Sequence, residues 1–149
     1  MLHPPYYQLS YDLKRRKPTL FYQGKGKEGL LSRLRDYLKG EKVDFSFLSL
    51  DLSFLPPFTQ KVLTIVRQIP YGVVYSYGEV AEMLGDKKKA RAVGQALRKN
   101  PFPIIIPCHR VIKGDRTLGG YTGGLRLKRW LLQNEGIEIK GRKVLKWKG

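Results

Sequence analysis

The spacing of hydrophobic and polar positions changes along the chain and divides it into two regions. Residues 1–53 are rich in tyrosine and alternate weakly between apolar and polar side chains. This alternation predicts short strands over "YYQLSYDL", "PTLFYQG" and "VDFSFLSLDL". Before the third of these, "KEGLLSRLRDYLKG" has the spacing of a basic amphipathic helix that ends at Gly40. We therefore expect a small N-terminal domain of strands and one helix.

Paired prolines separate this region from the next one. In "FLPPF", Pro56 and Pro57 remove backbone donors and restrict the residue before each of them. We therefore place a linker at residues 54–57 and a second domain at residues 58–149. From Phe58 the spacing is helical up to Pro70, and one face carries Phe58, Val62, Ile65, Val66 and Ile69.

Two short helices are predicted next, joined by a tight turn. The first lies in "SYGEVAEMLG", where Ser76 and Glu79 have the spacing of a capping box. Asp86 can cap the second, "KKKARAVGQALRKN", which ends before a proline. This succession is typical of a helix-turn-helix.

The second of these helices has an apolar and a polar side. At about 100° per residue, the apolar side carries Ala90, Val93, Ala96 and Leu97, and the polar side carries Arg91, Gly94, Gln95 and Arg98. We expect the first set to face the core and the second a partner. A glycine within a helix costs about 1 kcal/mol relative to alanine. Gly94 therefore indicates close approach of a bulky partner such as a nucleic-acid backbone, with tight helix packing as the alternative.

The charge balance supports a nucleic-acid partner. The chain has 29 Lys and Arg against 12 Asp and Glu, a formal net charge of +17, and such an excess favours binding to polyanions. The alternative is a lysine-rich solvated surface of the kind found in thermophile proteins.

Other bulk features exclude several classes of protein. No apolar run approaches the roughly 18 residues of a membrane span, and the first residues do not resemble a signal peptide. We expect a soluble, cytoplasmic protein with no membrane partner. A single cysteine excludes an internal disulfide, and His3, Cys108 and His109 do not form a zinc-ligand pattern. We expect no metal and no cofactor.

The candidate chemistry lies in "IIIPCHRVI", residues 104–112, which reads as a buried strand with Cys108 at or just past its end. A lone buried cysteine is usually an inert small hydrophobe. However, an adjacent base such as His109 can favour the reactive thiolate. Because neighbouring residues on an extended chain point to opposite sides, we expect a bridging water rather than direct contact.

A histidine that acts as a base needs an orienting acceptor on its other ring nitrogen. In "GGLRLKRWLLQNEG", Leu127, Leu131 and Glu135 are spaced at i, i+4 and i+8. Glu135 is thus predicted on an apolar stripe and in the last helical turn, where the helix dipole disfavours negative charge. This placement indicates a buried partner, and an exposed glutamate beside Gly136 is the alternative.

Between these segments, "LGGYTGG" predicts a flexible loop with two hydroxyl groups, which either lines a pocket for a planar group or is simply a long turn. "PCHRV", preceded by "ARAVGQALRKNP" and followed by "GGYTGGLRLKRWLLQNEG", closely resembles the DNA repair alkyltransferases that act on O6-alkylguanine. These are also called methylated-DNA–protein-cysteine methyltransferases. The resemblance is continuous over about 58–136 and is loose in the N-terminal region, chiefly through "LRDYLKGEKVDF".

The resemblance implies an α+β fold, with a small ribonuclease-H-like N-terminal domain and a helical, winged-helix-like C-terminal domain that binds the DNA minor groove. It also implies a function. The protein would flip O6-alkylguanine, with O4-methylthymine as a further candidate, out of duplex DNA. It would then transfer the alkyl group irreversibly to its own cysteine in a single turnover, without a cofactor and as a monomer.

The resemblance also implies roles for individual residues. Cys108 accepts the alkyl group, His109 deprotonates it through water, and Glu135 orients the histidine. Asn100 resembles an asparagine that braces the active-site turn, and Tyr77 resembles a tyrosine that assists the leaving guanine.

Further residues match positions that contact DNA or substrate. Arg91 matches the arginine that enters the duplex where the nucleotide has rotated out, and Gly94 matches the close-approach residue. Many relatives have serine where this chain has Thr122, so the extra methyl group bears on pocket width. The full set predicted to contact DNA or substrate is Arg91, Gly94, Gln95, Arg98, Tyr121, Thr122 and Lys128.

Two other functions are compatible with the residues alone. A DNA-binding module would have the same helices and charge but an ordinary thiol that accepts nothing. A cysteine hydrolase with a Cys–His–Glu triad would turn over repeatedly and would need oxyanion donors, which the sequence does not show. Transfer of one group per molecule separates the alkyltransferase from both.

Overall fold

The chain divides into two compact units, Met1–Leu55 and Pro56–Gly149. The computed structural model describes residues 6–23, 28–121 and 123–145, so His3 and Thr122 lie outside the described residues. Within the described ranges, no helix is long and apolar enough to cross a membrane.

The first unit contains a three-stranded sheet and one helix. Its elements are β1 (Tyr6–Asp12), β2 (Lys17–Gln23), α1 (Glu28–Leu38) and β3 (Leu48–Leu50). Strands β1 and β2 form an antiparallel hairpin, whereas β3 returns parallel to β1, in the order β2-β1-β3. The strands predicted over the first two segments and the helix are confirmed.

The third predicted strand is much shorter than the pattern "VDFSFLSLDL" indicated. Only Leu48–Leu50 is a strand. The preceding residues form a turn in which the Asp44 carboxylate accepts from the Ser46 amide at 2.8 Å and the Leu48 amide donates to the Phe45 carbonyl at 3.1 Å. Phe45 and Leu48 are both buried, so this turn still contributes apolar side chains to the core.

Over residues 56–121 and 123–145, the second unit contains four helices, four short strands and two turns of 3₁₀-helix. They are α2 (Pro57–Arg67), β4 (Tyr75–Ser76), α3 (Tyr77–Met83), a 3₁₀ turn (Lys87–Lys89), α4 (Ala90–Leu97), a 3₁₀ turn (Cys108–Arg110), β5 (Val111–Ile112), α5 (Leu125–Asn134), β6 (Ile139–Lys140) and β7 (Lys143–Val144). Strand β4 pairs in parallel with β5, and β6 pairs antiparallel with β7.

Helices α2 and α3 follow the predicted pattern closely. α2 starts at Pro57, the second proline of the pair, and buries Val62 and Val66 as expected. The face is turned slightly from the prediction, because Thr59 and Leu63 are buried while Phe58 and Ile65 are only half-buried. The second predicted helix is shorter than expected, because residues 87–89 form a 3₁₀ turn that Asp86 caps and α4 begins only at Ala90. Helix α4 buries Val93, Ala96 and Leu97 and exposes Arg91, Gln95 and Arg98 as predicted, whereas Ala90 is only half-buried.

The capping box of α3 forms as predicted. The Ser76 hydroxyl accepts from the Glu79 amide at 3.0 Å, and the Glu79 carboxylate accepts from the Ser76 amide at 2.9 Å. Replacing Ser76 by alanine is expected to lower the free energy of unfolding by about 1 kcal/mol, as measured by urea denaturation. Ser32→Ala, at an exposed position within α1, is the control and should leave it unchanged or slightly higher. Equal effects of the two substitutions would contradict the capping role.

The buried strand predicted over the residues before Cys108 is wrong. The strand is confined to Val111–Ile112, and Cys108 begins the second 3₁₀ turn. Ile104 has φ +74°, a left-handed conformation that a β-branched side chain disfavours. Pro103 and Pro107 fix the φ angles on either side of this bend, so an apolar run that reads as a strand is folded into a loop.

Helix α5 is also rotated from its predicted orientation. Leu127 is 44% exposed, and the buried positions are Lys128, Leu131 and Leu132. Glu135 is not in the last turn but is the C-cap residue directly after it, and it is buried. The helix turns a lysine inward because backbone carbonyls there bind its ammonium group, as described below.

Candidate active site

A cleft of about 1220 Å³ opens beside α3 and α4 in the C-terminal unit. Cys108 lies in its wall and is 7% exposed. The other predicted site residues along the cleft are Tyr77, Arg91, Gly94, Gln95, Arg98 and Tyr121. A thiol that a ligand can reach and a basic, exposed helix face therefore share one concave surface.

Asn100 braces the turn that presents Cys108. Its amide nitrogen donates to the Ile106 carbonyl at 2.9 Å and to the Cys108 sulfur at 3.2 Å. Its oxygen accepts from the Phe102 amide at 2.9 Å. Burial raises the pKa of the Cys108 thiol, although the Asn100 bond and the charge of Lys128 oppose this. The thiol is therefore protonated at neutral pH and needs a base before it can act as a nucleophile.

His109 is paired with Glu135 in the interior. The distance from His109 Nε2 to Glu135 Oε2 is 2.7 Å, and both side chains are fully buried. Burial lowers the pKa of His109 despite its hydrogen bond to Glu135, so the imidazole is neutral at neutral pH. Because a carboxylate faces Nε2, we infer that Nε2 carries the proton and that Nδ1 is the basic nitrogen.

Glu135 binds three residues at once. Its carboxylate accepts from Arg110 Nε at 2.9 Å, from Arg110 Nη2 at 3.0 Å and from the Gly72 amide at 2.9 Å, in addition to His109. Burial opposes ionisation, but the bonds and charges of His109 and Arg110 outweigh it and hold the pKa of Glu135 at about 2. The carboxylate is therefore charged and orients the imidazole.

Arg110 was not among the predicted site residues. The signal was available, because an arginine within the apolar run "IIIPCHRVI" needs a buried counter-charge. Its Nη1 also donates to the Ile69 carbonyl at 2.6 Å, and its guanidinium lies over the Tyr71 ring at 5.8 Å.

Lys128 is fully buried. Its Nζ donates to the Val111 carbonyl at 2.7 Å and to the Gly120 carbonyl at 3.0 Å, and it lies 5.7 Å from the centre of the Tyr77 ring. Burial lowers the pKa of Lys128 to about 8, against the opposing influence of Cys108. Lys128 thus joins β5 to the glycine-rich loop that contains Gly119 and Gly120.

Tyr77 and the glycine-rich loop pack closely together. The Tyr77 hydroxyl donates to the Gly120 carbonyl at 3.4 Å. Gly119 has φ +72°, and a Cβ there would lie 3.0 Å from the Tyr77 hydroxyl, so this position requires glycine. A Cβ at Gly94 would meet the Tyr77 ring at an ordinary 3.7 Å. Packing within the chain therefore does not demand Gly94, and close approach of a partner stays a prediction.

Tyr121 stands beside the thiol. Burial, together with the neighbouring Cys108, raises the pKa of Tyr121, so its hydroxyl keeps its proton. Among residues 6–23, 28–121 and 123–145, no three His, Cys, Asp or Glu side chains converge as a metal site would require.

The C-terminal unit, with a buried thiol below a basic helix face, corresponds to a known class of DNA-binding domain. It matches the family model described as "6-O-methylguanine DNA methyltransferase, DNA binding domain" over residues 57–137. This match covers more than half of the 149 residues. The chain therefore belongs to the 6-O-methylguanine DNA methyltransferase family.

Individual relatives agree with this membership. The chain is 43% identical over 112 residues to the methylated-DNA–protein-cysteine methyltransferase of Methanothermobacter thermautotrophicus, covering 75% of this chain and 62% of that one. It is 43% identical over 129 residues to the DNA base-flipping protein of Thermus thermophilus, covering 83% of this chain and 86% of that one. Mycobacterium tuberculosis OGT in complex with DNA superimposes with a TM-score of 0.72 at 34% identity, covering 91% of this chain and 84% of that one.

Proposed function

We propose that the protein repairs O6-alkylguanine in DNA by transferring the alkyl group to Cys108, once per molecule. The observation that carries this proposal is the placement of the only thiol of the chain at a cleft, one residue before a buried His109–Glu135 pair. A protonated thiol next to a neutral, oriented imidazole is a resting state from which an adjacent general base can activate a cysteine nucleophile.

The transfer is a displacement at the alkyl carbon. His109 Nδ1 takes the thiol proton, through a water as the resemblance implies, and the sulfur attacks the carbon bound to O6. A carbon–sulfur bond forms as the carbon–O6 bond breaks, and both electrons of that bond leave with guanine. The developing imidazolium is stabilised by the Glu135 carboxylate. Because these residues cannot hydrolyse the thioether that forms on Cys108, the thiol is not regenerated and each molecule reacts once.

The guanine leaves as an anion and needs a proton. Tyr77 lies at the cleft near Cys108, and burial raises the pKa of its hydroxyl, which is therefore protonated. It can donate a hydrogen bond or a proton to the leaving base. Tyr121, protonated for the same reason, is a second donor beside the sulfur.

Contact with DNA is assigned to helix α4. Its exposed face carries Arg91, Gln95 and Arg98 along the cleft that leads to the thiol. We assign α3 and α4 to a helix-turn-helix of a winged-helix-like domain that binds the minor groove as a monomer, and the first unit to a ribonuclease-H-like domain. The related S. pombe Atl1 has been solved in complex with damaged DNA containing O6-carboxymethylguanine, at 37% identity. That complex supports a damaged guanine as the substrate.

The test is the intact mass of the protein after mixing with excess duplex oligonucleotide that carries O6-methylguanine. We expect a gain of one methyl group per molecule and no gain for Cys108→Ala. Unmodified duplex is the matched control.

A second candidate is a protein that flips and marks damaged bases without repairing them. The observation in its favour is the likeness to the Thermus thermophilus DNA base-flipping protein, which this chain covers to 86%. Binding of O6-methylguanine duplex by wild-type protein without a gain in mass would establish this candidate and overturn the alkyl transfer.

Arg91→Ala is expected to slow methyl transfer from duplex DNA by about 10- to 100-fold, because unpairing a base costs a few kcal/mol that an inserted side chain offsets. Reaction with free O6-benzylguanine base should be nearly unchanged. Single-turnover rates on both substrates give the comparison, and Arg142→Ala, at an exposed position in the β6–β7 turn, controls for net charge. Equal losses on duplex and free base would contradict insertion of Arg91.

A further inference from the structure

Arg110 is a buried guanidinium that takes no part in the steps above. It is 7% exposed and directly follows His109 in the 3₁₀ turn. Its three side-chain nitrogens all donate hydrogen bonds. Nε and Nη2 donate to the two carboxylate oxygens of Glu135 at 2.9 and 3.0 Å, and Nη1 donates to the Ile69 carbonyl at 2.6 Å. A guanidinium held at three nitrogens has a defined position relative to the imidazole.

His109 and Arg110 compete for the same carboxylate. Glu135 Oε2 lies 2.7 Å from His109 Nε2 and 3.0 Å from Arg110 Nη2. One carboxylate balances one positive charge, and a guanidinium keeps its charge at every accessible pH. An imidazolium in the resting protein would therefore be a second, uncompensated cation in the interior, which costs several kcal/mol.

We propose that Arg110 is a positioning residue that occupies part of the Glu135 carboxylate and thereby keeps His109 neutral and ready to accept the thiol proton. The proposal deepens the proposed function, because it concerns the base of that reaction. Because Arg110 shares the carboxylate, Glu135 stabilises the protonated form of His109 less than an unshared carboxylate would. The imidazole is thus oriented without being protonated in advance.

The groups around His109 agree with this assignment. Glu135 binds it from the end of α5, Arg110 follows it in the same turn, and the charge of Lys128 acts on it from within α5. Burial is the largest influence that lowers the pKa of His109, and the charges of Arg110 and Lys128 act in the same direction, against Glu135. Of the two cations, Arg110 is the one bonded to the carboxylate that binds the imidazole.

The experiment is an NMR titration of His109 in the full-length protein. The chain has two histidines, so a His3→Gln background leaves one imidazole to follow. Arg110→Gln is expected to raise the pKa of His109 by about one to two pH units. Arg142→Gln removes the same charge from an exposed site and should leave the titration unchanged. A shift below about 0.3 pH units in Arg110→Gln would overturn the proposal.

The rate of methyl transfer gives a readout that a purely structural role would not move. In Arg110→Gln, the acidic limb of the pH–rate profile should move to higher pH by the same amount as the NMR titration. A uniform loss of rate with an unmoved limb would overturn the proposal. If the wild-type protein transfers no methyl group, the proposed function fails, while the titration still decides the role of Arg110.

If Arg110→Gln is too unstable for the NMR titration, the pH dependence of its free energy of unfolding tests the proposal instead. With the folded pKa of His109 below its ordinary value of 6.5, protonation in the unfolded chain lowers wild-type stability as pH falls through that value. In Arg110→Gln the folded pKa of His109 is raised towards its ordinary value, so the variant should lose less stability than the wild type between about pH 8 and about pH 6. A variant that loses as much stability as the wild type across this range would overturn the proposal.

Discussion

Replacing Glu135 by alanine is expected to lower the free energy of unfolding by about 3–5 kcal/mol, since removing one partner of a buried ion pair leaves the other charge uncompensated. Here the remaining charge is Arg110, and His109 and the Gly72 amide lose an acceptor at the same time. The measurement is urea denaturation at neutral pH, followed by tryptophan fluorescence. Glu138→Ala, at an exposed position three residues away, should change stability by no more than about 0.5 kcal/mol.

The same substitution should also change how stability depends on acid. The pKa of Glu135 is about 2 in the folded chain against an ordinary 4.5. Its contribution is therefore complete above about pH 5 and is lost as pH falls through 4.5 towards 2. Glu135→Ala should lose less stability than the wild type across this window. If the two proteins lose stability in parallel, Glu135 is not the ionised partner.

Replacing His109 by glutamine is expected to slow methyl transfer by about 10²- to 10⁴-fold, the usual contribution of a general base. Glutamine has a similar volume and can still donate to Glu135, so the fold and the affinity for DNA should be retained. Single-turnover rates on O6-methylguanine duplex provide the measurement. His3→Gln serves as the matched control and should react at the wild-type rate.

The pH dependence separates loss of a base from loss of packing. Wild-type transfer should already be near its plateau at neutral pH, because burial lowers the pKa of His109. In His109→Gln the thiol must ionise unaided, so the rate should rise with pH through the raised pKa of Cys108. A variant that keeps the wild-type profile would show that His109 is not the base.

Local signals in the sequence predicted much of the fold. Three features depend on neighbouring residues and lie close to where the pattern placed them: the capping box at Ser76 and Glu79, the polar face of α4 and the start of α2 at the proline pair. Hydrophobic periodicity failed around Cys108, because a strand and a bent, proline-bounded loop both present a run of buried apolar residues.

The site could be predicted in part for a similar reason. Glu135 stood out because a charge at an apolar position needs a partner, and that reasoning applies equally to Arg110 and to the inward-facing Lys128. Arg110 and Glu135 are 25 residues apart in the sequence, and only the tertiary fold brings them together. The spacing of residues along one helix therefore cannot show which buried cation pairs with which anion. The rotation of α5 follows from the carbonyls of Val111 and Gly120 that bind the Lys128 ammonium.

The loop before Cys108 has a consequence for how the site becomes ordered. Pro101, Pro103 and Pro107 lie within seven residues of chain, and each restricts the unfolded ensemble before folding begins. The conformational entropy lost on fixing this segment is therefore smaller than for a loop of ordinary composition. This smaller loss of conformational entropy offsets part of the strain of the left-handed backbone at Ile104. Covalent restriction of the chain and the hydrogen bonds of Asn100 therefore hold the Cys108 sulfur in place before any substrate contributes binding energy.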